Sequence, residues 1–266
     1  MPSFSFRNVR SRRRLAMCLG VIAVVAGSSV ATVAKPSVAG AVQLAWPVPV
    51  TVDSTNDLSS VACPLATQCT GVDYDGLEVT FNPQSPGTPT PVAVDGSEVL
   101  HGVACPTETL CMAVGYDRGV TVGEEVSFNP QSPGTPTAEV ISSSHPFWDV
   151  TCPASDQCTA VGQNGQELTF DPQSLGTATL VTIDSGHTLY GVACPSATQC
   201  VAVDDDGREV TFDPQTVITA TPVVIDGTNS LNAVACPSAS ECTAVDEDGN
   251  EVSFELSNPT AAVPVA

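Results

Sequence analysis

Five times in 266 residues this chain writes a pair of cysteines six positions apart, and no other feature limits its fold as strongly. The pairs are Cys63 with Cys69, Cys105 with Cys111, Cys152 with Cys158, Cys194 with Cys200 and Cys236 with Cys242. First cysteines follow one another at 42, 47, 42 and 42 residues. A phenylalanine stands 12 residues after the second cysteine in four copies (Phe81, Phe170, Phe212, Phe254) and 17 after it in the copy ending at Phe128. From that phenylalanine to the next first cysteine the distance is always 24. A single five-residue insertion within residues 115–126 therefore accounts for the whole irregularity. A strict repeat of this length means stacked copies of one supersecondary unit, none of which can bury its faces alone.

Within one copy the apolar residues alternate between turn signals. LYGVAC is followed by the turn Pro195–Gln199, CVAV by the acidic turn Asp204–Gly207, REVTF by Asp-Pro-Gln, and then comes TPVVID. That pattern predicts four short strands per repeat. No helix-period stretch occurs beyond residue 42. The predicted fold is all-β: a five-bladed β-propeller of four-stranded blades, with repeats starting near residues 58, 100, 147, 189 and 231. Each cysteine pair spans the first hairpin of its blade, where antiparallel neighbours lie within disulfide reach. Disulfides within each pair are therefore expected, linking Cys63 to Cys69, Cys105 to Cys111, Cys152 to Cys158, Cys194 to Cys200 and Cys236 to Cys242. Zinc is the competing use of paired cysteines. A structural zinc site joins two pairs, and five pairs would leave one unmatched.

The chain ends suggest how such a ring would close. The fourth-strand motif of the copies (Val92–Asp95, Glu139–Ser142, Val181–Asp184, Val223–Asp226) has a spare at Val50-Thr51-Val52-Asp53, ahead of every other repeat element. Only twelve residues follow Phe254. Residues 50–53 are thus expected to supply the last blade's fourth strand, removing the exposed edges of an open array.

Residues 1–41 read as a cleaved export signal. Five arginines lie between Arg7 and Arg14, an apolar run extends from Leu15 to about Ala34, and Ser-Val-Ala-Gly-Ala (37–41) offers a small-residue cleavage site. A membrane anchor is the alternative for that run, which Gly27, Ser28, Ser29 and Thr32 dilute. The domain is then 42–266, secreted, with disulfides suited to an oxidising compartment. Beyond residue 42 only Arg118 and Arg208 are basic, against 29 Asp and Glu. Such a surface repels nucleic acid and anionic membrane, whose phosphates need clustered Lys and Arg. The expected protein is a monomer acting on neither.

The order of elements in LNAVACPSASECTAVDEDGNEVSFE (231–255) resembles a WD40 blade. The Cys-Pro-x4-Cys variant resembles repeats of exported bacterial propeller proteins, grouped with BNR-type or YCF48-like blades, and the likeness covers residues 46–266. Neither the WD40 Trp-Asp ending nor the sialidase Asp-box is present, so no family chemistry is carried over. The resemblance implies that the loops between fourth and first strands and between second and third strands share one face.

Comparing the copies picks out what stands on that face. Four residues before the first cysteines are Ser59, His101, Trp148, Tyr190 and Asn232; seven before are Asn56, Glu98, His145, His187 and Asn229. Tyr74 and Tyr116 lie in the second-to-third turns, and Asp149 replaces Ser60, Gly102, Gly191 and Ala233 of the other copies. Aromatic faces with His and Asn suit a sugar or a peptide, although freely varying loops would look similar. The leading expectation is non-catalytic binding of an extracellular glycan or protein. The alternatives are a glycan-cleaving hydrolase using Asp149 with a second carboxylate, or an envelope assembly factor by analogy with YCF48-like propellers. No G-x-S-x-G or H-E-x-x-H motif occurs, and no residue is assigned a catalytic role. The turns with Asp73 and Asp75, Asp204 and Asp206, and Asp246 and Asp248 have alternating carboxylates around a glycine. They would suit Ca²⁺, or serve as plain strand-connecting turns.

Overall fold

The computed structural model describes residues 49–265 apart from 97, 120–121, 175–177 and 217–219. The leader read at residues 1–41 lies outside the described residues. Five antiparallel four-stranded sheets follow one another along the chain. Sheet 1 holds β1 (Leu58–Leu65), β2 (Gln68–Asp73), β3 (Leu77–Phe81) and β4 (Val92–Ala93). Sheet 2 holds β5 (Val99–Thr107), β6 (Leu110–Tyr116), β7 (Gly123–Phe128) and β8 (Glu139–Ser142). Sheet 3 holds β9 (Phe147–Ala154), β10 (Gln157–Gly162), β11 (Gln166–Phe170) and β12 (Leu180–Thr182). Sheet 4 holds β13 (Leu189–Ser196), β14 (Gln199–Asp204), β15 (Arg208–Phe212) and β16 (Val223–Val224). Sheet 5 holds β17 (Leu231–Ala235), β18 (Glu241–Asp246), β19 (Glu251–Glu255) and β20 (Val263–Val265).

All five expected disulfides are formed. Cys63 is bonded to Cys69, Cys105 to Cys111, Cys152 to Cys158, Cys194 to Cys200 and Cys236 to Cys242. Each lies across the first hairpin of its own sheet, and this pairing leaves none of the ten thiols for zinc. The two halves of a bridge sit differently. The second cysteines, Cys69, Cys111, Cys158, Cys200 and Cys242, are all buried within the packed second strands. Their sulfurs are thus part of the apolar core as well as a covalent tie.

Each of the three inner sheets is apolar on both faces because its neighbours cover both. Alternation on the second strand sends one set of side chains back and the other forward. In β14, Cys200 and Ala202 join Val161, Ile183 and Leu189 between sheets 3 and 4, whereas Val201 and Val203 join Ile225, Leu231 and Ala244 between sheets 4 and 5. Equivalent cores lie between sheets 1 and 2, around Cys111, and between sheets 2 and 3, around Cys158. The first strands of successive sheets pack side by side. Ser60 Oγ accepts from the Val103 N–H at 3.2 Å, and a Cβ on Gly191 would meet the Ala233 Cα at 2.9 Å. That close approach explains the small residues recurring at this position.

The expected closing strand is corrected by the structure. Residues 50–53 form no strand, and the outer strand of sheet 5 is its own β20, paired as Glu251↔Val265, Val252↔Pro264 and Ser253↔Val263. Outer strands here are only two to four residues long, so the twelve residues after Phe254 suffice. A local return also closes a far shorter loop than recruiting a segment some two hundred residues away. The spare motif caps a turn instead: Asp53 Oδ1 accepts from the Thr55 N–H at 2.7 Å, and Asn56 Nδ2 donates to Asp73 at 2.8 Å.

The two terminal faces differ from the internal ones. Val245 is 44% exposed, whereas its counterparts Val72, Val114, Val161 and Val203 are all 0% exposed. Val61 is 55% exposed, against 5%, 4% and 4% for Val103, Val150 and Val192.

Candidate functional site

The first strands bring one residue from each sheet to a common cavity of about 260 Å³. Ser59, His101, Trp148, Tyr190 and Asn232 all line it, together with Ser60, Asp149 and Ala233. Five positions spaced 42 or 47 residues apart in sequence thus converge because the first strands pack side by side. A neighbouring hollow is lined by Tyr74, Val99, His101, Tyr116 and Arg118.

His101 joins the two. Its ring lies 4.3 Å from that of Trp148, 5.3 Å from Tyr74 and 5.6 Å from Tyr116 (centroid to centroid), and Trp148 continues to Tyr190 at 5.8 Å. Most of these contacts are edge-to-face, the arrangement the ring quadrupoles favour. Burial pulls the His101 imidazole down to about 4, so it is neutral at ordinary pH. His101 Nε2 and Trp148 Nε1 are both buried and have no hydrogen-bond partner among the described residues. Each unsatisfied ring nitrogen forgoes a hydrogen bond, a cost that the packing around it must offset.

Asp149 has a different task. One carboxylate oxygen accepts from the Val150 N–H and the other from the Val192 N–H, both at 2.9 Å. The side chain therefore ties β9 to β13, as Ser60 ties β1 to β5. Burial raises its pKa to about 6, with the two amides pulling the other way.

The remaining sequence-selected residues lie at the turns. His145 meets Ser144 Oγ through Nδ1 at 2.7 Å. His187 Nδ1 stands 3.1 Å from Asp205 and 3.9 Å from Asp204. These three are the one group with metal-ligand spacing among the described residues, but Arg208 Nε already donates to the same Asp204 oxygen at 2.6 Å. In the acidic turns the first aspartate holds its own loop. Asp73, Asp204 and Asp246 each accept two backbone N–H groups on Oδ1, at 2.7–3.0 Å. Asp75 pairs with Arg118 at 2.6 Å. Among these hydrogen bonds and ion pairs, Asp206 and Asp248 enter only through the backbone N–H each gives to its turn's first aspartate.

Sequence reasoning passed over a row of buried acids on the third strands. Glu78, Glu125, Glu167 and Glu209 are 2–5% exposed, and each accepts from a hydroxyl two residues on. Burial lifts the first three to about 7. Their signal was the Glu at one position of every copy, which strand patterning alone reads as solvent-facing. Arg208 was also missed as a bridge: its guanidinium spans Asp184 and Asp204, which are 4% and 0% exposed.

No protein-family model and no curated protein matches the chain. Among solved structures it is similar to the β-propeller domain of Cps50 (Swd1) from Myceliophteria thermophila, with a TM-score of 0.63 at 12% identity over 80% of this chain and 70% of that one. It is similar to U3-55K, with a TM-score of 0.63 at 9% identity over 79% of this chain and 66% of that one. The WD40 β-propeller domain of Doa1 gives 0.60 at 12% identity over 77% and 67%. The fold is a β-propeller built of WD40-like repeats, and the chain spans about two thirds of the length of these relatives.

Proposed function

We propose that this protein is an exported, non-catalytic binding module that takes an extracellular glycan or protein segment on the aromatic face around Trp148. The observation that carries this reading is the continuous aromatic wall Tyr74–His101–Trp148–Tyr190, which shares its cavity with Ser59 and Asn232. A ligand with an apolar ring face beside hydroxyl groups matches the aromatic wall and the Ser59, Tyr190 and Asn232 side chains that share its cavity. Acids stand beside this site: burial first, then Asp205 and Glu247, raise the pKa of the Tyr190 hydroxyl, and Glu98 receives the Arg118 backbone N–H. Neutral sugars and basic peptides are therefore accepted, and acidic polymers are repelled. Asp149, whose two oxygens serve backbone amides, is better suited to holding strands than to the paired-carboxylate work of a glycosidase.

The test is retention on neutral-glycan and basic-peptide arrays by the wild type, Trp148→Ala and Tyr190→Ala. Binding that falls at least about tenfold in both variants, as expected for loss of a central aromatic anchor, supports the assignment. Partners held equally well by the double variant, or sugar released in an Asp149-dependent way, would refute it.

A further inference from the structure

The forward face of sheet 5 repeats surfaces that are buried elsewhere in the same molecule. In sheet 1, Thr70, Thr80 and Glu78 form a hydrogen-bonded row at 2.8 Å, and in sheet 3, Thr159, Thr169 and Glu167 do the same at 2.8 and 3.1 Å. In sheet 3 this row lies under the next sheet, with Cys200 Sγ of sheet 4 reaching Thr159 at 4.0 Å. Sheet 5 carries Thr243, Ser253 and Glu251 in the same geometry, at 2.7 and 3.1 Å, but Ser253 and Val245 beside them are exposed. The face also keeps the socket of an internal junction. On sheet 3, a hollow at Gln157, Thr169 and Phe170 is shared with Ala197, Pro214 and Gln215 of sheet 4. Gln157 donates there to the Ala197 carbonyl at 2.8 Å and accepts from Gln215 at 3.0 Å. On sheet 5 the matching hollow, about 350 Å³ at Glu241, Ser253 and Phe254, is lined by residues of sheet 5 and its C-terminal turn alone. The plug for such a socket is present at the other end of the chain. Sheet 1 has exposed Ala66 and Gln84 where sheet 4 has Ala197 and Gln215, next to the exposed Val61.

We propose that the forward face of sheet 5 docks onto the rear face of sheet 1 of a second copy, forming between chains the junction that each chain already makes four times within itself. The two surfaces are the counterparts of those that meet at the internal junctions, with Glu241 standing where Gln157 donates to Ala197. Meeting within one chain would require all four packed cores to shift together, and cores of this density resist such continuous deformation. The contact is head-to-tail, so copies either close into a larger ring or extend as a chain. This departs from the monomer expected from sequence. Because 29 acidic residues face two basic ones beyond the leader region, copies repel at low ionic strength and associate as salt screens them.

The experiment is mass measurement by light scattering and sedimentation velocity on protein expressed from the full sequence, at low and high salt. The variants are Val61→Glu and Val245→Glu, which place a charge at opposite ends on side chains already exposed. The wild type is expected to shift from one chain's mass to two or more as concentration and salt rise. Each variant alone stays at one chain's mass, because every junction then contains a blocked face. A one-to-one mixture of the two regains a two-chain species and goes no further, since one good face remains on each. A wild type that keeps one chain's mass at every concentration and salt overturns the proposal, as would be seen if the end faces met within one chain. Assembly that survives in either single variant, or a mixture that stays monomeric, overturns it as well.

Discussion

Replacing Glu167 with glutamine should stabilise this protein at neutral and alkaline pH, although the residue is buried and hydrogen-bonded. The carboxyl is 5% exposed and receives one hydroxyl, from Thr169 at 3.1 Å. Burial outweighs that bond and lifts its pKa from 4.5 to about 7. The folded state therefore holds the proton more tightly than the unfolded chain does. The resulting stability is fully present below about pH 4.5 and is lost as pH rises through about 7. At 1.36 kcal/mol per unit, forcing the carboxylate to ionise inside the fold costs on the order of 3 kcal/mol. Glutamine keeps the shape and the acceptor for Thr169 but never ionises. Glu167→Gln is thus expected to gain about 2–3 kcal/mol at roughly pH 8, raising Tm by about 5–10 °C for a domain of this size, and almost nothing near pH 4. Urea melts and calorimetry of both proteins at the two pH values decide it. A variant no more stable than the wild type at the higher pH would show that the site ionises without penalty, and would refute the reasoning for Glu78 and Glu125 too.

Two further outcomes follow from the same buried polar chemistry and from the staples. Arg208→Met removes the bridge between Asp184 and Asp204, leaving two acids that are 4% and 0% exposed without their counter-charge. A loss of about 3 kcal/mol or more is expected in denaturant melts at neutral pH, shrinking on acidification, and an unchanged midpoint would remove the bridge from the account. Deleting one staple by the double change Cys194→Ala and Cys200→Ala, across a separation of six residues, should cost about 2 kcal/mol in the chain-entropy view; a variant that melts with the wild type would assign the bridges another purpose.

Much of the architecture was legible because it is local. Alternating residues, acidic Gly turns and cysteines six apart act within a dozen residues, and their repetition fixed five sheets of four strands and the disulfide pairing. That Cys69, Cys111, Cys158, Cys200 and Cys242 would be the buried partners was not legible, because it depends on which neighbouring sheet covers each second strand. The cavity positions were legible, since residues equivalent in sequence become neighbours when first strands pack side by side. Trp148 and His101 could be named without coordinates; their contact, and the orphaned nitrogens between them, could not. The closing strand was misread because β20 needs only three residues, a length that depends on the twist and reach of the sheet rather than on the motif. Glu167 looked like an ordinary outward strand residue until the neighbouring sheet covered it.

By itself the sequence determined the repeat, its strands, its staples and the list of side chains at the mouth, because each is encoded over distances shorter than one blade. Only the tertiary structure decided which segment forms the last sheet's outer strand, which acids lose their water and which valines stay exposed. Those depend on the angle at which one sheet settles on the next, an angle set jointly by every side chain in the shared core and written at no single position.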